Sequence, residues 1–174
     1  CYVKSYTGDH AVKNTWHQVD EFTTGREYLL VTAGTAGTAK AFCMTGTESS
    51  AYNGKDVTIN TDGTITYDGA YNDSAVVNAH SLSDGTFYLN TWIDPTVRQT
   101  LSYKGDATAD RSLYITSDNS LQDYAFRFKY SSGALKAYYG KNGLGTEMPI
   151  RWSLNGSTLA IGTASSNTGE FYIF

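Results

Sequence analysis

Apolar side chains recur at every second position through much of this chain. The clearest run is Tyr124-Ala125-Phe126-Arg127-Phe128-Lys129-Tyr130, with four aromatics on one face and Ala, Arg and Lys on the other. Strand side chains alternate between faces, so this pattern predicts a half-buried antiparallel strand with a large aromatic payload. Similar β-rich stretches predict strands at 27–32, 39–44, 56–60, 64–67, 74–79, 86–90, 112–117, 134–139, 150–154, 158–161 and 170–174. Gly, Asp, Asn or Ser separates most of them. The best hairpin signal is Asp62-Gly63 between alternating β-branched residues, because Gly accepts the positive φ that a tight turn needs.

No segment holds a helical period. Residues 10–22 come closest, but their apolar positions are scattered and read as a loop or an irregular edge. About ten short strands in one chain of this length predict a single all-β domain over residues 1–174, an antiparallel β-sandwich. A β-trefoil or another β-barrel is the alternative. It rests on a faint self-similarity among 25–32, 84–91, 110–117 and 156–163, each a turn followed by alternating apolar residues. The intervals are unequal, so shared strand grammar explains the likeness better than a repeat array does.

Composition narrows the function classes. Charged residues are 17% of the chain, below the roughly 25% of ordinary soluble proteins, and Tyr, Gly, Thr and Ser take up the difference. A net charge of −4 with scattered Lys and Arg argues against nucleic acid as a partner. No apolar run approaches the ~20 residues of a membrane helix, and no signal peptide is apparent, so in a secreted protein it would already have been removed. Cys1 and Cys43 are the two cysteines. They could close a disulfide, but they lack framework spacing and zinc-site spacing alike, and Cys1 also suits a processed lipoprotein terminus. Cys43, between Phe42 and Met44, reads as a buried structural thiol.

Catalytic chemistry is hard to find. His10, His17 and His80 are the three histidines, and none stands in a metal-binding or nucleophile-elbow spacing. The aspartates at 62, 68, 73, 84, 106, 110, 118 and 123 concentrate in turns, where their side chains bond nearby backbone. A glycosidase would need two facing carboxylates, and no pair stands out. Calcium is the one cofactor that the turn residues suggest: residues 60–63 and 68–73 supply oxygens, but neither fits a twelve-residue calcium loop. The expectation is therefore a protein without a cofactor that binds rather than catalyses.

Tryptophans give the binding candidates. Trp152 alternates with Ile150 and Leu154 and is expected in the core. Trp92 and Asp94 precede Pro95 in an expected loop, and Trp16 lies among Lys, Asn, Thr, His and Gln. An indole flanked by such side chains can stack on a sugar while its neighbours bond the hydroxyls; the competing reading folds each ring back over the core. Tyr138, expected on the face of Arg127 and Lys129, is a fourth candidate, against an ordinary cross-strand pair. The apolar terminal strand 170–174 needs an edge, which its own domain or a neighbouring domain or subunit could supply.

The order YLLV, VTINTDGTI, FYLN, SLYITS, AFRFKYSS and a terminal FYIF resembles the all-β extracellular domains of bacterial, gut-type cell-surface multidomain proteins. The resemblance covers most of residues 26–139 and carries no catalytic fingerprint. It implies an extracellular or cell-surface location and a role in adhesion, in glycan or host-protein binding, or as a structural spacer or filament subunit.

Overall fold

The computed structural model describes residues 14–43, 51–69, 73–94, 97–104, 113–116, 124–125, 127–138, 147–156, 158–162 and 166–174. These residues form eighteen strands and no helix. In chain order they are β1 (Thr15–His17), β2 (Arg26–Tyr28), β3 (Leu30–Val31), β4 (Gly37–Phe42), β5 (Ala51–Ile59) and β6 (Thr64–Thr66). Next come β7 (Val77–Ser81), β8 (Phe87–Asp94), β9 (Val97–Lys104), β10 (Leu113–Thr116), β11 (Tyr124–Ala125) and β12 (Arg127–Ser131). The last six are β13 (Ala134–Tyr138), β14 (Glu147–Pro149), β15 (Arg151–Asn155), β16 (Thr158–Gly162), β17 (Gly169–Glu170) and β18 (Tyr172–Ile173). The chain is all-β and antiparallel, as its alternation predicts.

Two sheets share the strands. One runs β17-β15-β16-β5-β4-β3-β18, with β6 beside β5 and β1 beside β6. The other runs β10-β9-β8-β12-β13-β14, with β7 on β8, β2 on β7 and β11 on β9. Leu30, Phe42, Leu159, Ile161 and Phe171 of the first sheet and its connections join Val77, Leu89, Leu101, Phe128, Tyr130 and Leu135 of the second in one buried cluster. A core shared by two sheets is the arrangement of a sandwich. Each of its large side chains contributes about 1.5–3 kcal/mol by leaving water.

The first sheet also buries its other face. Leu29, Val31, Ala39, Ala41, Cys43, Val57, Ile59, Ile65, Ala75, Val76 and Phe174 form a second cluster. The pairings around it return on themselves: β1 to β6, β6 to β5, β5 to β4, β4 to β3 and β3 to β18. An isolated bridge from Ile173 to Val19, just past β1, closes the circuit. Burial on both faces explains why Leu29-Leu30-Val31 and Phe171-Tyr172-Ile173-Phe174 are continuous apolar runs rather than alternating ones.

Several boundaries depart from the sequence reading. The run 27–32 is two strands: β2 pairs with β7 in one sheet, and β3 pairs with β4 and β18 in the other. The run 124–130 divides too, with β11 on β9 and β12 between β8 and β13; Phe126 lies outside the described residues. Trp92 and Asp94 are on β8 rather than in a loop, opposite Arg98 and Val97 of β9, with a register shift between them. β1 lies within the stretch expected to be irregular. Trp152 packs at the margin of the first cluster, while Leu154 is 49% exposed at the end of its strand. The terminal strand finds both its partners, β3 and Val19, within the chain.

The Asp62-Gly63 hairpin forms as expected, and its geometry occurs twice. Asn60 N–H donates to Thr64 O at 2.7 Å, and Leu82 N–H donates to Thr86 O at the same distance. In each turn the aspartate accepts from a threonine two residues on: Asp62 Oδ1 from Thr64 N–H at 3.0 Å, Asp84 Oδ1 from Thr86 N–H at 3.0 Å. Gly63 and Gly85 adopt φ of 82° and 79°, which the turn requires.

Candidate functional site

A groove of about 710 Å³ opens where β1 of the first sheet meets β2 of the second. Thr15, Trp16 and His17 form one wall, Val19 to Glu21 and Thr23 the rim, Arg26 and Glu27 the other wall, and Tyr28 and Phe174 the buried base. Local packing places each part. Phe22 is buried against Tyr28, with ring centroids 5.1 Å apart, and against Phe87 and Tyr130 at 5.7 and 6.3 Å. Anchoring that one aromatic leaves its neighbours Asp20, Glu21 and Thr23 exposed along the rim. The Tyr28 hydroxyl accepts from Thr23 N–H at 2.6 Å and ties the rim to β2.

Trp16 is half-buried. Its ring packs on the second cluster, and its indole N–H donates to Tyr67 O at 2.9 Å. The ring thus folds back over the core, as one reading of the sequence expects, and it also lines the groove. Behind it, Tyr67 is fixed by Asp73. The Tyr67 hydroxyl donates to Asp73 Oδ2 at 2.5 Å, Ala75 N–H donates to Oδ1 at 2.9 Å, and Lys55 Nζ lies 3.1 Å from Oδ2. Lys55 Nζ also sits 4.9 Å from the Tyr67 ring centroid.

The titration of this support follows from its contacts. Burial raises the Asp73 carboxyl, but the bonds from Tyr67, Ala75 and Lys55 outweigh it, and the net shift is downward. Burial and the Asp73 bond push the Tyr67 hydroxyl up to about 12. Burial raises the Cys43 thiol, which donates to Ala41 O at 3.8 Å and is free and buried, a structural position. Cys1 lies outside the described residues.

Groove charges are uncommitted. Among the described residues, Asp20, Glu21, Arg26 and Glu27 take part in no ion pair or side-chain hydrogen bond, although all four are exposed. Such groups are free to meet the hydroxyls of a ligand.

Tyr138 sits on a different surface. It lies opposite Arg127 in β12 and Glu147 in β14, and Lys129 lies opposite Lys136, so these side chains share the face away from the core. Their charges are largely spent on one another. Arg127 pairs with Asp84, Lys136 pairs with Glu147, and the Tyr138 hydroxyl donates to Glu147 Oε2 at 2.9 Å. Lys136 and then Tyr138 hold the Glu147 carboxyl below the usual range.

The structure does not bring the four sequence candidates together. Trp16 is in the groove, Tyr138 is on the β12–β13 face, and Trp92 and Asp94 are on β8. Asn90, two residues before Trp92, is wholly buried, and neither polar atom of its side chain has a partner. Sequence reasoning missed Asp20, Glu21, Arg26 and Glu27. The signal available was the isolated Phe22 between Asp20-Glu21 and Thr23-Thr24, an inward anchor that turns its neighbours outward.

Two carboxylates of the calcium candidates accept from protein donors. Asp62 Oδ1 serves Thr64, and Asp73 serves Tyr67, Ala75 and Lys55; residues 70–72 lie outside the described residues. Among the described residues no group of three or more His, Cys, Asp or Glu side chains is placed to hold a metal, and no helix is long and apolar enough to cross a membrane. No family model, curated protein or solved structure matches the chain.

Proposed function

We propose that this is a non-catalytic, extracellular carbohydrate-recognition domain that binds its glycan in the groove beside Trp16. One observation carries the reading: a concave site sets an indole beside carboxylates and a guanidinium that have no other partner. Sugars present apolar C–H faces that stack on indole and hydroxyls that need both donors and acceptors. Arg26 offers donors, while Asp20, Glu21 and Glu27 offer acceptors. The low overall charge and the resemblance to bacterial cell-surface domains support the same reading and an adhesive role. Strand exchange through β18 would require breaking pairings on both of its sides, which favours recognition over filament assembly by that route.

The test is glycan binding by the purified domain, with a Glu21→Ala/Arg26→Ala double variant set beside Tyr138→Ala. The double variant changes exposed side chains and keeps the fold, so its loss of binding with retention by Tyr138→Ala locates the site in the groove. Loss in Tyr138→Ala alone moves the site to the β12–β13 face. No glycan bound by the native domain removes the reading.

A further inference from the structure

We infer that the groove discriminates among glycans by charge, rejecting those with carboxylate or sulfate groups and favouring those with free amines. The inference rests on the glycan reading and adds the chemical class of the ligand. Three side-chain carboxylates, Asp20, Glu21 and Glu27, line the groove against one guanidinium, Arg26, and one imidazole, His17. Elsewhere on the described surface most cations sit on carboxylates: Lys40 on Asp56, Lys55 on Asp73, Arg127 on Asp84, Lys136 on Glu147 and Arg151 on Glu170, with Lys129 outside any pair. The groove carboxylates have no such partner, so their field reaches whatever enters. An acidic sugar stacked on Trp16 would place its charge in the same groove as this excess of like charge, where salt screens over a Debye length of about 8 Å at physiological strength. A protonated amine there gains what the acid loses, while a neutral sugar is indifferent.

The experiment is an array of neutral glycans, each printed beside its amino-bearing and its uronate, sialylated or sulfated derivatives, read in about 20 mM and about 500 mM salt. At low salt, acidic derivatives are expected to bind about fivefold or more below their neutral parents, and amino derivatives at or above them; both gaps narrow at high salt. In a Glu21→Gln/Glu27→Gln variant the ratio of neutral to acidic binding falls towards one. Reading a ratio separates the charge effect from any general weakening. An acidic derivative that binds as well as its neutral parent at low salt overturns the charge inference and leaves glycan recognition standing. An array on which nothing binds overturns both.

Discussion

The groove beside Trp16 and the face bearing Tyr138 each set an aromatic among charged side chains, yet they differ in what those charges do. On the β12–β13 face the register opposes Lys129 to Lys136, and Glu147 and Asp84 draw the neighbouring cations into pairs. In the groove, Asp20 and Glu21 lie on an irregular rim, Arg26 and Glu27 lie on β2 opposite the uncharged Ala79 and Asn78, and none of the four meets a charged partner. A regular sheet brings charges to fixed cross-strand distances and lets them neutralise one another. A crossing between sheets has no such register. Uncommitted charges are gathered at the junction, whereas on the β12–β13 face Lys129 alone among the described cations stands outside a pair, and residue type alone does not separate the two surfaces.

Trp16→Ala would break the comparison most severely. It removes an indole from the second core and a hydrogen bond to Tyr67, at about 3 kcal/mol, and should lower the urea midpoint and abolish binding together. Tyr138→Ala, measured the same way, should stay within about 0.5 kcal/mol of the native protein. A Trp16→Ala protein as stable as the native one would show that the ring does not cap the core.

Asp73→Asn tests the support behind the groove and should cost about 1–2 kcal/mol at neutral pH, since it weakens the bonds to Tyr67 and Lys55. Its pH dependence has a defined sign. The folded carboxyl titrates below its unfolded value near 3.9, so its contribution is present above about pH 4 and is lost as the pH falls through the folded pKa. Stability measured from pH 6 down to 2 should fall less steeply in Asp73→Asn than in the native chain. An unchanged slope would deny the carboxylate this role.

Smaller effects are expected on the β12–β13 face. Glu147→Gln strips Lys136 of its counter-ion opposite a second lysine, costing about 0.5 kcal/mol at low salt and less at high salt. Tyr138→Phe removes one exposed hydrogen bond and should shift the unfolding midpoint by a few tenths of a kcal/mol at most. A larger loss in either variant would mean that this face holds the fold together more than its exposure implies.

Much of this architecture was legible in the chain. Alternation in Phe128 to Tyr130 and Leu135 to Ala137 placed Phe128, Tyr130, Leu135 and Ala137 inside and Arg127, Lys129 and Lys136 outside, because a two-residue period has one solution on a half-buried sheet. Asp62-Gly63 was equally clear, being local chemistry. The 27–32 run was not, because burial on both faces erases the alternation that would mark where one strand ends and the next begins. β9 escaped notice for the opposite reason: Val97-Arg98-Gln99-Thr100 is too polar to stand out, and pairing with β8 and β10 holds it in place. The groove was half legible. Trp16 was visible as an indole in a polar stretch, but its neighbours across the opening come from β2, which only the fold brings near.

Circular pairing around the second core has a kinetic consequence. Val19 and Ile173, from opposite ends of the described sequence, form its last link. Such a contact cannot be nucleated locally, and its loop-closure entropy must be met after the intervening strands are in place. The circuit therefore stays open on the ribosome until Ile173 has emerged, and refolding should show the slow approach to the native state typical of high contact order.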